Sequence, residues 1–153
     1  MSTISQIVAA LKNTFDTVPA IDQLSTDEYL PPINTQNTAL IIPAFGMQSE
    51  IGEMTFGGGA MYQTHRIRCE LWVKHTGNNA DLTQRTRAVT TDAIRALTDD
   101  SDLGGVVEYI GWYGGRTADR SISVDVADNL VTIGSASYLI STLIVPVTDF
   151  SLP

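Results

Sequence analysis

The chain has 153 residues with nine Lys or Arg against 17 Asp or Glu, a formal net charge of −8, and a single cysteine, Cys69. That length suits one domain burying roughly two thirds of its unfolded surface without a metal, and one cysteine excludes an internal disulfide. Scattered cations on an acidic chain argue against nucleic-acid binding, and Met1-Ser2-Thr3-Ile4 opens neither a signal peptide nor a membrane span, so a soluble intracellular product is expected.

Thr3 and Gln6 have the spacing of a capping box, and Ile4, Ile7, Val8, Leu11, Phe15 and Val18 follow at helical intervals, predicting a helix over 3–17 that ends before Pro19. Residues 20–37, with Pro31-Pro32 and many polar side chains, have no period and read as an irregular loop. Thr38 to Phe45 is the first strand candidate, with Pro43 demoting part of it to an edge or a bulge. A hairpin is expected over 46–62, with Glu50 to Phe56 pairing and Gly57-Gly58-Gly59 supplying its tip.

The stretch from His65 to His75 alternates. Ile67, Cys69, Leu71 and Val73 share one face, while Arg66, Arg68, Glu70 and Lys74 share the other, interrupted by Trp72. Thr76 to Ala80 is a turn signal, and Asp81 with Gln84 reads as the start of a second helix over 81–98, with Leu82, Val89, Ala93, Ala96 and Leu97 inward. Thr86 falls on the same side. Leu103 to Ile110 reads as a strand. Another is expected over Ala118 to Val126, its apolar face formed by Ala118, Ile122, Val124 and Val126 with Arg120, and its wet face by Asp119, Ser121, Ser123 and Asp125. A turn at Asp128-Asn129 precedes a last strand from Ala136 to Val147, apolar on both faces and therefore central. The fold class predicted is α+β: a mostly antiparallel sheet of five or six strands with two main helices packed on one face, in a single domain over 1–153.

Chemistry is sparse. Gly57-Gly58-Gly59 lacks the following helix and the Lys of a phosphate loop. His65 and His75 lie about 33 Å apart at extended spacing, too far to share a metal, and read as strand-end residues. Cys69, on the apolar face, reads as a small buried hydrophobe. Asp99-Asp100-Ser101-Asp102 has the composition of half a calcium loop without the Gly and distal Glu of an EF-hand, and reads as a solvated acidic turn whose charges oppose the helix dipole. No catalytic residue, cofactor or metal set emerges, and an enzyme is not expected.

The N-terminal helix, the phrase Leu71-Trp72-Val73-Lys74-His75-Thr76-Gly77, the capped helix after it, Asp102-Leu103-Gly104-Gly105-Val106-Val107 and the closing strand from Tyr138 to Val147 resemble the tail-terminator, or tail-completion, proteins of long-tailed bacteriophages. The resemblance spans about residues 3–148, excepting 20–37. It implies a sheet with flanking helices and a homo-oligomeric ring, usually a hexamer, in the virion at the head-proximal end of the tail after synthesis in the host cytoplasm. Such a ring caps the tail tube, stops its polymerisation and docks to the head connector or neck proteins, while DNA passes through without specific binding. The resemblance implies no membrane partner. Negative walls would keep DNA sliding.

A ring needs two different surface patches that meet around a closing rotation. Trp72, Trp112 and Tyr113 are large aromatics where a lone domain has little reason to expose them, and with Gly57, Gly58, Gly59, Arg66, Arg68 and Glu70 they are the candidate subunit-interface residues. Two alternatives stand beside the terminator: another neck or tail-tube component, and a small enzyme or ligand-binding module using the Gly57–Gly59 loop and nearby acids.

Overall fold

The computed structural model describes residues 3–26, 37–43, 48–54, 60–114, 117–119 and 122–151; for 26, 48–54, 60–61, 112–114, 117–119 and 150–151 the backbone alone is described. Among the described residues two helices, α1 (Ile4–Phe15) and α2 (Asn79–Asp99), accompany ten strands: β1 (Gln23–Thr26), β2 (Thr38–Ile42), β3 (Gln48–Met54), β4 (Ala60–Lys74), β5 (Tyr109–Ile110), β6 (Trp112–Gly114), β7 (Thr117–Asp119), β8 (Ser123–Val126), β9 (Val131–Ile133) and β10 (Ala136–Ser151).

The centre is the antiparallel pair of β4 and β10, in register from Tyr138 opposite Lys74 to Ser151 opposite Met61. Short strands flank these two long ones. β2 and β3 both pair antiparallel with β4, while β9, β8 and β5 pair antiparallel with β10. β1 closes the far side, parallel to β2. The result is an eight-stranded sheet whose one parallel pair among the described residues is β1 with β2, beside a separate two-stranded ribbon of β6 and β7. Strand number exceeds the expected five or six because single edge positions are filled by successive short strands.

Residues opposite one another in an antiparallel pair share a face. Ile67, Cys69, Leu71 and Val73 of β4 therefore lie with Leu143, Val145 and Val147 of β10, and both helices cover this face. From α1 come Ile7, Val8, Leu11 and Phe15, and from α2 Leu82, Val89, Ala93 and Leu97. The expected α+β architecture with both helices on one face is the observed one. The capping box is present too: Thr3 N–H donates to Gln6 Oε1 at 2.8 Å and Gln6 N–H to Thr3 Oγ1 at 3.2 Å.

Several boundaries differ from the sequence reading, each for a physical reason. α2 starts at Asn79, capped by Asn78, whose Oδ1 accepts from the N–H groups of Ala80 and Asp81. Asp81 instead binds Arg85 Nε at 2.9 Å, and Arg85 also donates to Lys74 O at 2.6 Å, tying the helix to the end of β4. The buried hydroxyls of α2 are satisfied: Thr86 donates to Leu82 O, Thr90 donates to Thr86 O, and Thr90 lies 3.0 Å from Ser141 Oγ on β10. Within the supposed irregular 20–37 stretch, 23–26 form β1, so β2 is an interior strand with every residue buried rather than an edge. Pro43 marks its end.

Residues 103–108 are not a strand. Leu103, Gly104 and Gly105 have φ of 52°, 67° and 85°, and this left-handed run curls the chain, so only Tyr109–Ile110 pairs. The expected strand over 118–126 is two elements in two sheets, β7 and β8. Pro146, in the middle of β10, is tolerated because its carbonyl accepts from Gly111 N–H, so its backbone faces away from β4, between the ends of β8 and β5 where no ladder donor is needed.

Leu71 is fully buried beneath both helices. Leu71→Ala is expected to cost roughly 2–5 kcal/mol in urea titration, whereas Val124→Ala at an exposed edge should stay within about 0.5 kcal/mol. A small loss at Leu71 would contradict the register.

Candidate subunit interface

The face of β4 away from the helices carries Arg66, Arg68, Glu70 and Trp72, opposite Pro146, Ile144, Thr142 and Ile140 of β10. Trp72 is not an exposed anchor. It is buried with Ala39, Ile41 and Tyr138, its ring edge-on to Tyr138 at 5.9 Å and 65°. The small and branched side chains of β2 leave room for a flat ring on that face, and the aromatic pair removes its apolar area from water within the subunit. Its buried Nε1–H has no hydrogen-bond partner among the described residues.

Glu70 is likewise inside, 1% exposed, with Oε1 3.4 Å from Arg68 NH2. Its Oε2 has no hydrogen-bond partner among the described residues. Arg68 bridges inside and outside: its side chain stays 44% exposed while holding that carboxylate. Arg66 is exposed on the same face. Of the expected interface face, then, the two arginines are exposed at the surface and Glu70 and Trp72 are not. Trp112 and Tyr113 belong to β6, which packs against β4 and β10; their side chains lie outside the described residues, as do Gly57, Gly58 and Gly59 altogether, although β3 and β4 pair down to Met54 opposite Ala60 as the expected hairpin requires. On the face away from the helices the Thr148 hydroxyl donates to Gly111 O at 2.6 Å, just before β6, which places the β6–β7 ribbon over one end of that face.

The sequence reading missed an apolar edge. The exposed large hydrophobics among the described residues are Val124, Val126, Leu130 and Val131, all on or beside β8 and β9. Alternation predicted that Val124 and Val126 would be buried, and they do share the helix face through their partners Leu143 and Ser141. The helices cover them only in part: Thr83, Thr86 and Arg87 of α2 line a cleft with Val126 and Asp128, but β8 lies one strand beyond β10 and both valines stay exposed.

The remaining candidates are structural. His65 is a fully buried residue inside β4 rather than at a strand end. His75 follows β4; its Nδ1 accepts from Gly77 N–H at 3.2 Å, leaving Nε2 to donate to Asn79 Oδ1 at 2.9 Å. Cys69 is buried, and desolvation pushes its thiol far above the usual range. Asp100 is not merely solvated: its carboxylate accepts from Thr14 of α1 at 2.9 Å and from Gly104 N–H at 2.8 Å, bracing both helices against the left-handed turn. That bracing explains an acid at a helix C-terminus.

Removing Arg68 strands a buried carboxylate. Arg68→Ala is expected to destabilise the subunit by about 1–3 kcal/mol in urea titration, and Arg68→Ala with Glu70→Gln should recover part of the loss. Burial lowers the His65 pKa below its ordinary 6.5, with Asp149 opposing. As pH falls through 6.5 the unfolded chain takes up a proton that the folded one refuses, so stability should drop as pH falls below about 7, and His65→Gln should flatten that slope. An unchanged slope would remove His65 as its source.

No protein-family model matches the chain, and no curated protein matches it.

Proposed function

We propose that this chain is a structural assembly protein of a long-tailed bacteriophage: a tail terminator whose copies close into a ring, a hexamer by resemblance, on the head-proximal end of the tail tube, stop its growth and join it to the head. The observation that carries the reading is the one-sided layering of the sheet. With both helices on one face, the other face keeps Arg66 and Arg68 at the surface, and the apolar β8–β9 edge is a second, dissimilar patch. Two unlike patches on one subunit are what a heterologous contact requires. The resembling phrases support it further: Leu71 to Gly77 ends the central strand, and Asp102 to Val107 forms the turn braced by Asp100. A net charge of −8 suits a channel that must pass DNA without gripping it.

A tube subunit would use the same kind of contact, the open sheet edge favouring it equally; it differs in whether the rotation closes or continues. The ligand-binding alternative has less support. The cleft of about 480 Å³ between α1 and α2 is lined by Asp100, whose carboxylate is engaged within the subunit.

Light scattering on the purified full chain is expected to give one discrete ring mass. Open-ended filaments would make it a tube component, and a stable monomer with a ligand-dependent melting shift would overturn assembly. Virions made without the protein should yield headless tails of uncontrolled length.

A further inference from the structure

On the proposed ring-forming role, we infer that the outer edge of β8 in one copy pairs antiparallel with the outer edge of β1 in the next, carrying the sheet from copy to copy. Among the described residues β1 pairs with β2 alone and β8 with β10 alone, and they bound opposite sides of the sheet. Neither carries the Lys or Pro with which sheet edges are ordinarily blunted. Their directions match. β1 runs parallel to β2, β2 and β10 each run antiparallel to β4, and β8 runs antiparallel to β10, so β8 and β1 point opposite ways. A neighbour turned about an axis along the strands therefore brings its β1 antiparallel to β8.

Their backbone groups match as well. Ala127 N–H reaches Ile140 O, so odd residues of β8 bond to β10, and Val124 and Val126 direct both N–H and C=O outward. On the other side of the sheet Lys74 N–H reaches Asn37 O, which turns Ala39 and Ile41 toward β4 and Leu40 toward β1. In a parallel ladder a residue that bonds across stands opposite one that does not, so Leu24, in register with Leu40, directs its backbone outward. Leu24 packs against the core beneath the helices, and Val124 lies on that same face through its partner Leu143. Opposed residues of an antiparallel pair share a face, so Leu24 can stand opposite Val124 with the helices of both copies on one side. Exposed Val124 then gains apolar cover that its own subunit does not give.

Charge fixes the register. Leu24 opposite Val126 would set Asp22 against Asp128. Leu24 opposite Val124 instead sets Gln23 against Asp125, an amide donor against a carboxylate, and Asp22 against Val126, in the cleft that holds Arg87 as well as Asp128. Pairing β8 with a second β8 would crowd the Asp125 of both copies, whereas β1 has no charged residue of its own. The two edges are different surfaces, so the contact is heterologous, and rotation about an axis along the strands closes it into a ring.

The test is light scattering, with circular dichroism confirming that each variant folds. Val124→Pro removes an N–H directed away from β10, and Val124→Lys charges the same edge; each should stay folded and associate about tenfold or more weakly. Disulfide trapping reads the register without touching Val124. Gln23→Cys with Asp125→Cys in one chain, opposed across the contact at about 4.5 Å between Cα atoms, should give oxidised ladders extending past the dimer. Cys69 is buried and should add no bridge. A ring that survives both Val124 substitutions at wild-type strength, or a double-cysteine chain that assembles without bridging, overturns this contact while leaving ring formation intact. Bridged dimers from Asp125→Cys alone would mean that β8 pairs with itself, and also overturn it. A wild-type chain that remains monomeric at every concentration overturns both the ring and this contact.

Discussion

The pairing of β4 with β10 is the constraint on which the rest depends. Both strands run the full length of the sheet, and each additional strand of that sheet attaches to one of them or, for β1, to β2. Side-chain parity is set along this one seam, and a slip of one residue would move Ile67, Cys69, Leu71 and Val73 off the helix face and put Arg68 and Glu70 under α1 and α2. Burying those charges without partners would cost far more than the register could recover. The seam also leaves its outer edges to be filled piecemeal, which is why β9, β8 and β5 follow one another along β10, with Pro146 in the gap.

The two faces are then energetically unlike. One is a continuous apolar core beneath the helices. The other has a small apolar cluster around Trp72 and Tyr138 at one end, the β6–β7 ribbon at the other, and Arg68 with Glu70 between. A carboxylate taken out of water and matched by one half-exposed cation adds little net stability, since desolvation offsets the attraction. Its consequence is positional. Glu70 holds the guanidinium of Arg68 close against the sheet, where part of it still meets solvent.

What was legible in the sequence follows from how much of each element is decided locally. α1 has its capping box and a full apolar stripe, and the strands around Cys69 and Leu143 alternate or run apolar over many residues, so their existence and faces could be read. The start of α2 could not: Asn78 and Asp81 both offer cap chemistry three residues apart, and the choice is made by Arg85, which draws on Asp81 and on the end of β4. Leu103 to Val107 has the composition of a strand, but its conformation depends on the left-handed run and on Asp100 reaching across from the helix. β1 is four residues with no pattern of its own, recognisable only through its parallel partner. At the candidate interface the sequence located the arginine face and misjudged Trp72, because whether an aromatic on a polar face is exposed depends on how small its cross-strand neighbours are. It missed Val124 and Val126 for the converse reason: alternation reports a face, and says nothing about how far the covering layer extends.

That limit of coverage bears on self-association. Copies of a chain at −8 repel one another, but the repulsion is between diffuse charges and is screened over about 10 Å at 0.1 M salt. Removing the exposed valines from water is short-ranged and nearly indifferent to salt. In an assembly of this chain, apolar area at the β8–β9 edge would therefore supply the net attraction, and charge would decide where that edge can sit, since a wrong placement sets acid against acid. The excess of negative charge that keeps free subunits apart acts over a longer range than the apolar attraction, so added salt should favour association.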